Sequence, residues 1–502
     1  MSNPHSHIPP DSDALEQWQA FRHTALGQVG SLFQADELIH VARAPARLDV
    51  MGGVADYSGG IVLEMPLAAA TFAAWQWSDR PDIEMVTLGQ GADGEPQYAS
   101  VPLAVMVGAD EAVLTVDAVR PALADAGWAA YVAGCFYVML AAHSKMAEGR
   151  ATATIGRRGA RVLIDSSVPP RAGVASSAAL EVAVMHALSG AAGVHPSDLT
   201  LAAWCQRVEN TIVGAPCGIM DQVACALGHS GALLGLRCMP HDLLGHLQVP
   251  HGWRFSGIDS GVKHSVAGSA YALARVGAFM GLKVIQLESG GHPRDNYLCR
   301  LTPDQFAAYS NLVPEEITGA AFRAEYGIVP DQVAPPREDV VYRPRACAEH
   351  PVLENERCKQ FMAIVQIAGL RDSEAIDAGN QAAVAETESL LLQAGELMFQ
   401  SHQSYSDRLR LGSPETDLLV DLIRTEGRAN DLYGARITGG GSGGVVAVLS
   451  RDGDRADAAI ERVSARYRAE TGLSGAIIGG TSPGAVAFGQ RTIDPLEEGR
   501  RV

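Results

Sequence analysis

The chain has 502 residues, with 39 Lys and Arg against 57 Asp and Glu, giving a formal net charge of −18 and a pI near 5.3. That balance argues against a nucleic-acid partner, whose phosphates need a basic face, and against an anionic membrane surface. Hydrophobic residues make up 47%, so there is material for sizeable cores, and the length suits two or three domains. Eight cysteines form no C-x-x-C pair, which removes zinc-ligand spacing and leaves free thiols in a reducing cytosol as the expected state. The polar, His- and Pro-rich start (Met1 to Asp13) lacks the charged-then-apolar layout of an export signal, so a cytoplasmic protein is expected.

In chain order, an amphipathic helix is expected around Leu15 to Phe33, then a short strand over Val41 to Arg47 closing at Pro45. Ile61 to Trp77 is rich in β-branched and aromatic residues and reads as strands interrupted at Pro66. The most apolar run, Trp128 to Ala142, is shorter than the ~20 residues of a membrane span and reads as a core helix. Val162 to Val168 is a strand. A small-residue loop and an Ala-rich helix, Ser176 to Gly190, follow it. Leu201 to Val213 is a further helix, ended by the turn at Gly214, Ala215 and Pro216. Pro, Gly and charge concentrate in 285–350, but Tyr297, Phe306, Tyr309, Phe322 and Tyr326 argue against a disordered linker there. Helices return at Asn355 to Gly369 and Ala375 to Phe399. Ile437 to Gly489 alternates glycine loops with short apolar strands, and no internal repeat is visible. Strand and helix mix throughout, which predicts α+β layers.

Four stretches carry candidate chemistry. In Pro169-Pro170-Arg171-Ala172-Gly173-Val174-Ala175-Ser176-Ser177-Ala178, a strand feeds a small-residue loop that opens into a helix. Free N–H groups and the positive end of the dipole make a helix start an anion site suited to a triphosphate. Ser177 could offer its hydroxyl to Mg²⁺, although an ordinary helix cap explains a serine here equally well. In Pro216-Cys217-Gly218-Ile219-Met220-Asp221-Gln222, a carboxylate sits past a Gly-Pro turn in an apolar setting, where it could take a hydroxyl proton or simply cap a helix. Glu209, one helix earlier, could add an oxygen ligand for magnesium, or be a solvated helical glutamate. Ala44 to Gly60 packs Arg47, Asp49 and Asp56 between glycines; the carboxylates could accept sugar hydroxyls and the arginine could neutralise phosphate, against the plain alternative of a charged surface turn. Thr438-Gly439-Gly440-Gly441-Ser442-Gly443-Gly444 before an apolar strand points to close backbone approach to a ligand or another loop.

Together these stretches resemble the GHMP kinases, named for galactokinase, homoserine kinase, mevalonate kinase and phosphomevalonate kinase. The galactokinase branch fits best: its G-R-x-N-x-I-G-E-H-x-D-Y-x-G-G reads ARLDVMGGVADYSGG here, and its P-x-x-x-G-L-S-S-S-A reads PPRAGVASSA. C-G-I-M-D-Q is intact at Cys217 to Gln222, T-G-x-G-x-G-G reads TGGGSGG, and Asp259 to Ser265 looks like the start of the family's second domain. Within that branch, SHQSYS (Ser401 to Ser406), Tyr297-Leu298-Cys299 and TSPGA (Thr481 to Ala485) look most like the kinase portion of plant-type L-arabinokinases.

The resemblance implies an α+β, two-domain GHMP kinase fold with ribosomal-protein-S5-like and ferredoxin-like domains. It puts a tail and helix at 1–37, an ATP-binding domain at 38–255 and a C-terminal domain at 256–502. It implies ATP and Mg²⁺ as cofactors, a small sugar as substrate, and a monomer or homodimer. By position, Asp221 and Arg47 would be catalytic, and Ser177 and Glu209 would hold Mg²⁺. Pro169, Gly173, Ala175, Ser176, Ser177, Gly440 and Gly441 would bind ATP; Asp49, Gly53, Val54, Asp56, Gly218 and Tyr271 would line the sugar site. The departures are informative. One hydroxyl of the Ser-Ser-Ser run is replaced at Ala175, Arg171 has no assigned role, and the Glu-His that reaches the C6 end of galactose has become Gly53-Val54. Transfer to the C1 hydroxyl of L-arabinose is the expected reaction. A galactokinase with a rebuilt C6 pocket and a non-catalytic sugar sensor on the same fold are the competing readings.

Overall fold

Two long strands organise the first half of the molecule. In this computed structural model, which describes residues 12–89, 94–146, 158–263, 270–331, 335–378 and 381–498, β1 (Ile39–Met51) and β2 (Ile61–Ser78) pair antiparallel and are buried almost throughout. A preceding helix, α1 (Ser12–Gly27), lays Trp18 and Phe21 on this sheet, with Phe21 stacked 4.8 Å from Phe72. It stops at Gly27 instead of running on to Phe33, because glycines at 27 and 30, the latter at φ +90°, favour a turn. The two prolines do not break the strands. The ladder shifts register between Pro45 and Arg47, opposite Pro66, so the missing N–H groups fall at an irregularity.

Five of the other strands of this sheet are β3 (Asp82–Thr87), β4 (Gln97–Pro102), β5 (Gly159–Ser166), β6 (Ala232–Arg237) and β7 (Asp242–Gln248). Four helices cover it or lie close by: α2 (Ala129–Met146), α3 (Ser176–Ala192), α4 (Asp198–Arg207) and α5 (Met220–Leu227). α3 packs across β1 and β2 and is buried along most of its length.

β8 (Trp253–Asp259) opens a second sheet. The chain then forms α6 (Ala270–Glu288), the small hairpin of β9 (Ile317–Thr318) and β10 (Val341–Tyr342), and the long helices α7 (Pro344–Ala378) and α8 (Gln381–Ser404). It returns as β11 (Leu432–Ile437), β12 (Val445–Arg451), α9 (Asp454–Thr471) and β13 (Ala476–Ile478). The second sheet has the order β11-β12-β8-β13. The last strand, β14 (Arg491–Ile493), pairs with β1 and so belongs to the first sheet.

The described residues of segment 285–350 pack around its aromatics: Phe306 and Phe322 are buried in a core shared with α6 and α7. α7 starts at Pro344, well before Asn355, since proline suits the first helical position. α9 replaces part of the strand-and-glycine alternation expected over Ile437 to Gly489; the helix-forming DRADAAIERVSARYRAET stretch includes an Arg466–Glu470 pair at 2.7 Å. α6 is long and apolar enough to cross a bilayer, but it is largely buried, and its Arg275 pairs with Asp331 at 2.7 Å. All eight cysteines are free thiols. Of the Asp259 to Ser265 stretch, His264 and Ser265 lie outside the described residues, as do residues 1–11 of the tail.

Candidate active site

A cavity of about 410 Å³ opens where β1, the loop before α3, the end of α4 and the start of α5 converge. Of the residues singled out in the sequence, Arg47, Val54, Asp56, Gly173, Ala175, Ser176, Ser177, Glu209, Gly218, Asp221, Tyr271 and Gly440 line it. Asp49, Gly53, Pro169 and Gly441 do not.

At one end is the start of α3. Ala175 stands at the cap position in the left-handed region (φ 62°, ψ 44°), and no side chain caps the helix. The first-turn N–H groups are therefore available to an anion, and Arg171, at φ 59°, adds a cationic side chain to the same wall. The glycine-rich segment packs on this loop: the Val445 N–H donates to the Ala172 carbonyl at 2.9 Å. A Cβ on Gly444 would lie 2.5 Å from that carbonyl oxygen. So the close approach expected of these glycines is to another loop, with Gly440 left on the cavity wall; Gly441 packs instead against the Leu411 carbonyl.

Asp221 sits in the first turn of α5, and Ile219, not Asp221, is the capping residue. Arg47 grips Asp221 Oδ1 with Nη2 at 2.7 Å and Nε at 3.0 Å, and donates through Nη1 to the Gly173 carbonyl at 2.7 Å. Burial alone would lower the pKa of Arg47, but Asp221, Glu64 and Asp49 outweigh it and hold the guanidinium charged. Asp221 keeps 22% of its side chain exposed against 3% for Arg47, so the carboxylate is the more accessible member of the pair.

The expected helix over Leu201 to Val213 is α-helical only to Arg207; a wider π turn, Val208–Val213, completes it and turns Glu209 inward. Glu209 Oε1 accepts the Ser177 hydroxyl at 3.0 Å, and Oε2 accepts Gln222 Nε2 at 2.9 Å. Gln222 Nε2 also reaches Glu181 Oε2 at 3.1 Å, behind the wall. Burial and the Asp221 charge push the Glu209 carboxyl up to about 7. Asp56 is also pushed up to about 7 by burial and Asp221, with its Oδ1 accepting the Tyr57 N–H at 2.6 Å. Burial is the larger cause of both shifts, and the neighbouring Asp221 charge adds to it. A divalent cation beside Ser177 and Glu209 fits that donor set, because hard cations take oxygen ligands. Among the described residues no cluster of three or more His, Cys, Asp or Glu could hold a metal unaided, so such an ion would take further oxygens from phosphate and water.

Asp49, expected among the sugar ligands, is instead fully buried and engaged. Its Oδ1 pairs with Arg436 at 3.0 Å and accepts the Gly53 N–H at 3.1 Å, and its Oδ2 accepts the Gly439 N–H at 3.0 Å. It ties the sugar turn to the glycine-rich segment and turns no oxygen to the cavity. Glu64, its cross-strand neighbour, lies 3.3 Å from Arg47 Nε and was not singled out; nor was Tyr131, which lines the cavity from α2.

This arrangement, an open helix start facing a carboxylate–arginine pair between two sheets, defines a phosphotransferase of a known family. Residues 131–229 match the GHMP kinases N terminal domain, 387–469 the GHMP kinases C terminal domain, and 30–76 the galactokinase galactose-binding signature. The chain is 30% identical to the galactokinase of Chloroflexus aggregans, over 86% of its own length and 89% of the relative. It therefore belongs to the GHMP kinase family, on the sugar-kinase branch, with the mixed α+β two-domain fold of that family. It is also 35% identical, over 92% of its length, to the L-arabinokinase of Arabidopsis thaliana, and spans 47% of that longer protein. The crystal structure of Lactococcus lactis galactokinase complexed with galactose shares the fold, with a TM-score of 0.67 over 93% of this chain and 99% of that one, at 19% identity.

Proposed function

We propose that this enzyme transfers the γ-phosphoryl group of ATP to the C1 hydroxyl of L-arabinose, giving L-arabinose 1-phosphate and ADP. The observation that carries the choice of sugar is at positions 53 and 54. Gly53 is off the cavity wall and Val54, an apolar side chain, is on it. The resembling family places Glu-His there for the C6 hydroxyl of galactose, and L-arabinose has the ring hydroxyls of galactose without that group. The identity to an L-arabinokinase supports the same reading.

In this reading the uncapped start of α3, with Arg171, holds the triphosphate. Ser177 and Glu209 would hold Mg²⁺, which would supply positive charge against that of the phosphates. Asp221 stands where it can accept the C1 hydroxyl proton, oriented by the two nitrogens of Arg47. Asp56, fixed by the Tyr57 N–H beside Gly218, accepts ring hydroxyls, and Tyr271 closes the apolar side. Positioning and charge compensation supply most of the acceleration in such transfers.

The test is ADP release with a sugar panel at fixed ATP. A buried hydroxyl left without a partner costs about 1–3 kcal/mol, so kcat/KM for L-arabinose should exceed that for D-galactose by roughly 5- to 150-fold. Equal values, or a galactose preference, would identify a galactokinase instead. That second reading has the match to the galactose-binding signature at 30–76 in its favour.

A further inference from the structure

The Ser401 to Ser406 stretch is absent from the cavity wall, yet its side chains hold the segment that forms part of it. Ser401 Oγ donates to Glu354 Oε1 at 2.6 Å, and the same oxygen accepts the Gly52 N–H at 3.3 Å. Asn355 Oδ1, from the next residue of α7, accepts the Ile61 N–H at 3.0 Å. Between these two anchors, Tyr405 Oη accepts the Val54 N–H at 2.8 Å and donates to the Gly439 carbonyl at 3.1 Å. The sugar turn is thus pinned at its start, middle and end by groups more than 290 residues away in sequence, at separations of 302, 351 and 294.

Tyr405 is fully buried. His350 meets its ring edge-on at 5.1 Å and 84°, and the Arg436 guanidinium lies 5.1 Å from the ring centre. It opens a π turn, Tyr405–Leu409, a feature frequent at functional sites. An ideal Cβ built on Gly53 falls 1.7 Å from Tyr405 Oη. The hydroxyl therefore occupies the volume that any side chain at position 53 would need.

We propose that Tyr405 is a specificity-determining positioning residue: its hydroxyl fills the side-chain space at position 53 and fixes the Val54 backbone, so that an apolar wall meets the sugar at C5. The proposal rests on the sugar-1-kinase reading above. L-arabinose and D-galactose differ at C5, which is unsubstituted in the pentose and carries a hydroxymethyl group in the hexose. A tyrosine serving the core alone would be replaced by phenylalanine without consequence for sugar choice, since the ring packing would survive.

The experiment compares wild type, Tyr405→Phe and Val54→Ala for kcat and KM with L-arabinose, D-galactose and ATP, with melting temperature measured alongside. Tyr405→Phe leaves the Val54 N–H buried without its partner and loosens the wall. The D-galactose to L-arabinose ratio of kcat/KM should rise at least about fivefold, through the sugar KM, with the ATP KM within about twofold of wild type. Val54→Ala, which prunes the wall itself, should move the ratio in the same direction. If Tyr405→Phe lowers both sugars by one factor while Val54→Ala shifts the ratio, Tyr405 is only structural and the proposal is overturned. An unmoved ratio in Val54→Ala overturns it too, whether or not the tyrosine variant folds. A wild type inert on both sugars overturns the substrate reading first, and the proposal falls with it.

Discussion

Arg47 and Asp221 meet through two nitrogens on a single oxygen, Oδ1, at 2.7 and 3.0 Å, so the second carboxylate oxygen of Asp221 is left out of the pair. With 22% of its side chain exposed to the cavity, that carboxylate is held in orientation by an arginine that is itself buried. Asp221→Asn keeps the shape and an oxygen for Arg47 but cannot accept a proton. The expected loss in kcat is on the order of 10²-fold or more, with the sugar and ATP KM values and the circular dichroism little changed. Near-normal turnover in a folded Asp221→Asn protein would remove Asp221 from proton transfer.

Glu209 gives a prediction in pH. Burial, then the charge of Asp221, raise its carboxyl from an ordinary 4.5 to about 7. The folded protein therefore binds more protons than the unfolded chain between these values. Its contribution to stability is fully present below about pH 4.5 and is lost as pH rises toward 7. Asp56 acts in the same direction, from 3.8 to about 7. The metal-free protein should melt lower at pH 8 than at pH 5.5, and Glu209→Gln should flatten that dependence. Magnesium competes with the proton, so its half-saturating concentration should climb as pH falls below about 7. In Glu209→Gln it should be about tenfold or more higher above pH 7, with the gap closing as pH falls and wild-type Glu209 takes up its proton. An identical magnesium titration in the variant would place the ion elsewhere.

Gly218 faces Asp56 so closely that an added Cβ would lie 1.7 Å from Asp56 Oδ2. Its backbone is not in the left-handed region, so alanine is tolerated conformationally and the clash falls on the carboxylate. Gly218→Ala should raise the sugar KM by about tenfold or more and leave the ATP KM within about twofold, as expected when a buried hydrogen-bonding site is displaced. Initial-rate kinetics with each substrate varied in turn would check this, and parallel rises in both KM values would count against a sugar-binding Asp56.

The parts of this site that could be read from sequence are those whose chemistry is local. The loop from Pro169 to Ser177 reads as a candidate anion site because small residues directly precede a helix, and the structure leaves that helix start without a side-chain cap. Cys217 to Gln222 survives intact as a motif. Glu209 was legible as a residue but not as a geometry, since a π turn, not a regular helix, points it at Ser177. Asp49 misleads for the opposite reason: a carboxylate among glycines looks like a ligand group until Arg436, 387 positions later, takes it. α9 was hidden because glycines on either side dominate its neighbourhood, although its own residues are strong helix formers. Tyr405 lies in the SHQSYS stretch, but its contact with Val54 across the chain, like the strand pairing that sets Glu64 beside Asp49, is encoded by no local pattern.

The contact between Gly53 and Tyr405 yields a test by stability alone. Gly53 has φ +47°, and a Cβ there would meet Tyr405 Oη at 1.7 Å and Asp49 Oδ2 at 2.8 Å. Overpacking of this kind costs about 1–3 kcal/mol, and the left-handed backbone adds roughly 1 kcal/mol for a residue with a Cβ. Gly53→Ala should therefore melt several degrees below wild type, at roughly 2–4 °C per kcal/mol. Tyr405→Leu is also destabilising, because it leaves a void and strands the Val54 N–H. It removes the hydroxyl that the alanine would strike, however. The double variant should melt higher than the two separate deficits add up to, with a favourable coupling of about 0.5–3 kcal/mol. Thermal unfolding of the four proteins closes this cycle. Strictly additive deficits would mean that the tyrosine hydroxyl does not occupy the space beside position 53.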